Sequence, residues 1–163
     1  DDDALTLAAH ATIIIPTEDD YTFGFNSDDG ARLRVIGAVF KSSSFVGDVG
    51  LPNPAIPAHR GDLLSFPRPT GASGTLGVTH LKPGNYDVEF LTWEVGGGSF
   101  AEVFAARGAK TTVDGTFALL SPGLFAPRPT LTLQRPSATE IQVTWSPATG
   151  ILLAAPAVSG PWT

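Results

Sequence analysis

Cysteine is missing from all 163 residues. That excludes a disulfide framework, a zinc ribbon and a thiol nucleophile. Methionine is missing as well, and the chain opens Asp1-Asp2-Asp3. The expectation is a processed or excised terminus from which any signal peptide has gone. No apolar run approaches the ~18–20 residues of a membrane-spanning helix. Positive charge is scarce: 10 Lys and Arg against 16 Asp and Glu leave a formal net charge of −6. No basic cluster offsets it, which argues against nucleic acid, whose phosphates such a surface repels.

What the chain has instead is punctuation. Eighteen glycines and fourteen prolines interrupt it every few residues, which rules out long helices and favours many short strands. The alternation of apolar and polar residues predicts strands over Ala4–Ala9, Ala11–Ile15, Tyr21–Ser27, Ala31–Phe40, Thr75–His80, Asn85–Val95, Ser99–Arg107 and Thr116–Leu120. In Tyr21–Ser27, Phe23 and Phe25 share one face, with Thr22, Gly24 and Asn26 on the other, the pattern of a half-buried strand. Tyr86, Val88, Phe90 and Thr92 form one face of the clearest strand. Pro83-Gly84 before it has turn chemistry, and Val95-Gly-Gly-Gly-Ser99 after it is expected to reverse the chain as a hairpin.

Lys41 to Gly74 reads differently, rich in proline, serine and glycine and with little periodicity. So long a segment is either a packed structural loop or a ligand-contacting one. Its apolar residues Phe45, Leu51, Ile56, Leu63, Leu64 and Phe66 suggest that it folds back on the body. A stiff connector, Ser121 to Pro129, marks a boundary. The expected organisation is an antiparallel β-sandwich over residues 1–125, then a proline linker and a short three-stranded β-appendage over 126–163. Its strands are Thr130–Gln134, Glu140–Ser146 and Ile151–Ala155, with Ile141, Val143 and Trp145 on one face.

The strand from Tyr21 runs into Asp28-Asp29-Gly30, which offers two readings. Paired carboxylates at a turn cap backbone N–H groups, or they hold a hard cation such as Ca²⁺. Catalysis has little to stand on. Asp87, Glu89, Glu94, Glu102 and Asp114 lie on alternating strands and read as solvated faces rather than a glycosidase pair. His10, His59 and His80 lack metal-ligand spacing, no Gly-x-Ser-x-Gly elbow is present, and Gly71-Ala-Ser-Gly74 lacks the lysine of a phosphate loop. Trp93 is either core or a stacking platform for a sugar ring; Trp145 reads as core.

Three segments together, Phe23 to Leu33, Leu81-Lys-Pro-Gly-Asn-Tyr-Asp-Val-Glu-Phe90, and Glu94-Val-Gly-Gly-Gly-Ser-Phe-Ala-Glu-Val-Phe104, resemble the PA14 domain. The likeness spans Ala11 to Gly108. It implies an antiparallel β-sandwich of secreted and surface proteins whose lectin-like members bind Ca²⁺ through consecutive aspartates joined by a cis peptide. The ion in turn ligates sugar hydroxyls. Carried onto this chain, the resemblance puts Asp28 and Asp29 at the ion, with oxygens of the glycine loop, Gly97 and Ser99 among them, completing its shell. Trp93, Glu94 and Gly98 then border the glycan. The tail from Pro129, with Thr144-Trp145-Ser146 and Ser159-Gly-Pro-Trp162, is similar to β-domains that follow such modules.

The expected function is therefore a non-catalytic, extracellular or cell-surface adhesion module that binds a glycan through Ca²⁺. The alternative is a structural subunit or stalk domain of a bacterial surface assembly, self-associating by strand addition through its incomplete tail. A passive domain of a larger polypeptide is the third possibility.

Overall fold

The computed structural model describes residues 4–45, 48–49, 61–126, 130–137 and 140–146. It divides into two units, Asp1–Ala126 and Pro127–Thr163. The first contains β1 (Thr6–Ile15), β2 (Asp19–Asp28), β3 (Ala31–Val35), β4 (Phe40–Phe45), β5 (Asp48–Val49), β6 (Leu63–Phe66), β7 (Ser73–Leu81), β8 (Gly84–Trp93), β9 (Phe100–Arg107) and β10 (Ala118–Leu119). These form two five-stranded antiparallel sheets, in the orders β1-β8-β3-β6-β5 and β10-β9-β2-β7-β4. The protein is all-β, and among the described residues no helix is long and apolar enough to cross a membrane.

The two sheets bury one apolar core between them. Ile13 and Ile15 of β1, Leu33 and Val35 of β3, Leu64 of β6 and Val88 and Phe90 of β8 meet Tyr21, Phe23 and Phe25 of β2 and Leu81 of β7. Removing one large side chain of this kind from water stabilises by about 1.5–3 kcal/mol. Phe23 meets Phe40 and Phe125 edge-on, at ring separations of 6.4 and 6.3 Å, a favoured geometry for aromatic pairs.

β2 differs from its half-buried pattern, because its second face is covered too. Thr22 is fully buried. At Gly24 the neighbouring Leu76 and Phe104 close over the bare α-carbon, and an added Cβ would lie 2.5 Å from Leu76 and 2.6 Å from Phe104. Phe117 stacks edge-on against Phe104 in turn.

Connectivity departs most from the sequence reading. The two expected strands before Pro16 are one continuous strand, β1. Ala31–Phe40 breaks at Ile36-Gly37, and Gly37 takes a left-handed conformation (φ 86°). Lys41 to Gly74 is no structureless loop: β4, β5, β6 and the start of β7 lie in it, and Leu64 is core. Phe45, Leu51, Ile56 and His59 fall outside the described side chains. Nor is the glycine stretch after β8 a hairpin, since β8 and β9 belong to different sheets. Pro83 likewise lies in a crossing, from β7 to β8. The chain moves between sheets at nearly every connection, so paired strands are distant in sequence: Thr6 lies opposite Trp93, and Asp28 opposite Phe100.

In the second unit, β11 (Thr130–Ser137) pairs antiparallel with β12 (Glu140–Ser146). The register shifts between Gln134 and Ser137, where Pro136 has no N–H to give a ladder. Ile151–Ala155, the side chain of Trp145, and Trp162 fall outside the described residues.

Candidate metal centre

Three crossings between the sheets lie at one end of the sandwich: β2 to β3 through Asp29-Gly30, β6 to β7 through Pro67–Ala72, and β8 to β9 through Glu94–Ser99. The ladders force this convergence, because Ala31 pairs with both Thr92 and Phe66, and Ser27 with both Ser73 and Ala101. Asp29 sits where the three meet. Its Oδ1 accepts the Thr70 amide N–H at 2.7 Å, and its Oδ2 accepts that of Val95 at 2.8 Å. The buried Ser27 hydroxyl donates to the Asp29 carbonyl at 2.8 Å. The Asp28–Asp29 peptide is cis. Gly30 follows because nothing larger fits: a Cβ there would stand 2.1 Å from the Trp93 ring. Its carbonyl accepts from the Trp93 amide and the Thr92 hydroxyl, both at 3.1 Å.

Of the two sequence readings, Asp29 meets the first, since it caps main-chain amides; it also lies in an acidic cluster. Carboxylate oxygens of Asp28, Asp29 and Glu94 all come within 4.8 Å of one another. Asp28 is half-buried, while Asp29 and Glu94 are buried, at 5% and 4% exposure. The Val95 amide, then the Thr70 amide and, less, the neighbouring Glu94 carboxyl hold the Asp29 carboxyl below its ordinary range against the opposing cost of burial. Glu94 is anchored at both ends, its amide donating to the Leu5 carbonyl and its Oε1 accepting from Gly96 N–H, each at 2.8 Å. Its other oxygen, Oε2, is buried and accepts no N–H or O–H from the described residues.

A buried carboxylate oxygen left unpaired beside two further carboxylates is costly on both counts. A divalent cation would relieve both. Ca²⁺ takes oxygen ligands at about 2.3–2.6 Å, so oxygens on opposite sides of one ion stand at most ~5 Å apart, and these three fall inside that limit. With no imidazole or thiolate in the cluster, the donor set suits a hard ion rather than zinc or copper.

The other predicted residues border this cluster in different ways. Gly97 takes a left-handed conformation (φ 102°) at the top of the β8–β9 crossing. Gly98 passes close to Asp28, a Cβ there lying 4.0 Å from its Oδ2. Ser99 is exposed beside the start of β9. Trp93 is half-buried, with its ring packed on Gly30 rather than standing free. Glu94 was expected on a solvated face or at the border of a glycan, and it is a buried member of the carboxylate cluster instead. Its strand parity explains this: it is the next residue along from Trp93, which lies on the outer face, so it points inward. The other four carboxylates do stand exposed. Asp87 accepts from Thr12, Glu89 from Arg34, Glu102 from Asn26 and Asp114 from Lys110. Thr70 was missed, because it contributes an amide and its side chain gives no signal. Compared with protein-family models, with curated proteins and with solved structures, the chain matches none of them.

Proposed function

We propose that this protein is a non-catalytic recognition module in which Asp28, Asp29 and Glu94 hold a divalent cation, Ca²⁺ first among candidates. One observation carries the reading: Glu94 Oε2, buried and accepting no N–H or O–H from the described residues, inside a set of three converging carboxylates. Ca²⁺ accepts six to eight oxygens in flexible geometry, and three carboxylates leave positions to fill. The glycine-rich crossing that carries Gly97, Gly98 and Ser99 runs beside the cluster and can bring main-chain carbonyls to it. The remaining positions face outward past the exposed loop and suit a pair of glycan hydroxyls, the ligand class that the PA14 resemblance implies. Extracellular modules bind Ca²⁺ at 10⁻⁴–10⁻³ M, the regime in which a site of this size acts outside the cell.

Calorimetric titration with Ca²⁺ and with Mg²⁺ tests the ion. The expected result is a single Ca²⁺ site, weakened at least about tenfold by Glu94→Gln and abolished by Asp28→Ala/Asp29→Ala. At 100-fold excess over Kd the ion should also stabilise the fold by about 2.7 kcal/mol. No heat and no thermal shift from the unaltered protein would remove the metal reading. A glycan array run with and without chelator tests the second half; a blank array removes the glycan and leaves the ion.

A further inference from the structure

β1 forms an edge of its sheet, pairing with β8 on one side and, among the described residues, with no strand on the other. Two hydrogen bonds fix which of its groups face outward. The Leu5 carbonyl accepts from Glu94 N–H on the β8 side, whereas Ile14 N–H points the other way, to the Pro122 carbonyl. By alternation, Thr6, Ala8, His10 and Thr12 turn their N–H and C=O groups to the open edge. Edges of this length are ordinarily blunted by charge, proline or a bulge. The segment Thr6-Leu7-Ala8-Ala9-His10-Ala11-Thr12 has no Lys, Arg, Asp, Glu or Pro, and its pairing with β8 runs without a register shift.

Side chains add to this. Odd-numbered residues of β1 face the sheet interior, as buried Ile13 and Ile15 show, yet Leu5 and Leu7 on that same face are 44% and 48% exposed. Beside them a cleft of about 360 Å³ opens between the two sheets, lined by Ala9, Ala11, Val88, Phe90, Val103 and Leu120.

We propose that this chain self-associates through β1, two copies pairing their edges antiparallel about a two-fold axis at Ala9 and joining two five-stranded sheets into one. The backbone sets the register. Pro122 occupies Ile14 N–H, so the free edge runs from Thr6 to Thr12, and its centre is Ala9. In that register the two largest residues meet alanine, Leu7 opposite Ala11 and His10 opposite Ala8, while Thr6 lies opposite Thr12 and Ala9 opposite itself. Leu7 of each copy then covers the mouth of the other's cleft. The segment is self-complementary in size, in charge and in hydrogen bonding, as an isologous contact requires. This inference is independent of the cation.

Sedimentation equilibrium of the full chain in chelator tests it. The unaltered protein should run at twice its 17.0 kDa. Ala8→Pro, which removes only an outward N–H, should give folded monomer by circular dichroism. If that variant fails to fold, Ala8→Lys/His10→Lys, which sets like charges opposite each other, should be monomeric, and Ala8→Lys/His10→Glu should restore the dimer. Because the chain has no other thiol, Ala9→Cys should oxidise to a disulfide-linked dimer, its α-carbon about 4.5 Å from its mate, while Thr12→Cys should not. A monomer at every concentration, or a dimer indifferent to all the β1 charge variants, overturns the proposal; so does cross-linking through Thr12→Cys in preference to Ala9→Cys.

Discussion

Asp29 is one side chain holding three connections, and its charge is part of the fold. Main-chain amides depress its carboxyl below the ordinary aspartate value of 3.8. A group so depressed contributes stability that is complete above its unfolded pKa and lost as the pH falls through its folded one. The Asp29 contribution to the thermal midpoint should therefore be complete above about pH 4 and be lost on further acidification. Asp29→Asn should lower the midpoint at neutral pH and make the acidic decline shallower, whereas Asp28→Asn, at a residue that caps no amide among the described residues, should leave the decline in place. Parallel declines in all three proteins would show that Asp29 is not the group responsible. The aspartates were legible in the sequence because adjacent acids before a glycine are rare enough to notice. Thr70 and Val95 were not, since any residue except proline supplies an amide N–H.

At the scale of elements, the strands with clean alternation were legible: β2, β8 and β9 lie close to where their apolar periodicity puts them. β6 was not. Leu63-Leu64-Ser65-Phe66 is a four-residue run among prolines, too short for periodicity to register, and its partners β3 and β5 make it a strand. Leu64 is fully buried, so Leu64→Ala should cost about 2–5 kcal/mol, read as a shift in the urea midpoint at unchanged slope. A loss under about 0.5 kcal/mol, normal for an exposed loop, would return the segment to the irregular class. The glycine run after β8 shows the complementary failure. Gly96-Gly97-Gly98 announces a reversal, but composition cannot say whether the next strand pairs with the last or crosses to the opposite sheet. That choice is made by core packing between residues far apart in the chain.

At the scale of the whole molecule, the two ends of the sandwich differ in character. One gathers uncompensated carboxylates. The other is cross-linked by ion pairs on its surface, Arg107 with Asp19 at 2.6 Å, Lys41 with Asp20 at 3.1 Å, and His80 bridging Asp20 and Glu18. Those two carboxylates, Asp20 foremost, raise the His80 pKa. Among the described residues the core lies within Asp1–Ala126, so a chain ended after Ala126 should unfold cooperatively at the midpoint of the first unit in the full chain. A collapsed transition in calorimetry would mean that residues 127–163 are needed to complete it. The Asp29 carboxylate grips the β8–β9 crossing through the Val95 amide, and this leaves the exposed Val95 side chain out of the contact. Position 95 can be diversified by any residue except proline while the scaffold keeps its shape, so the rim of the acidic cup can change what it greets without relearning how to fold.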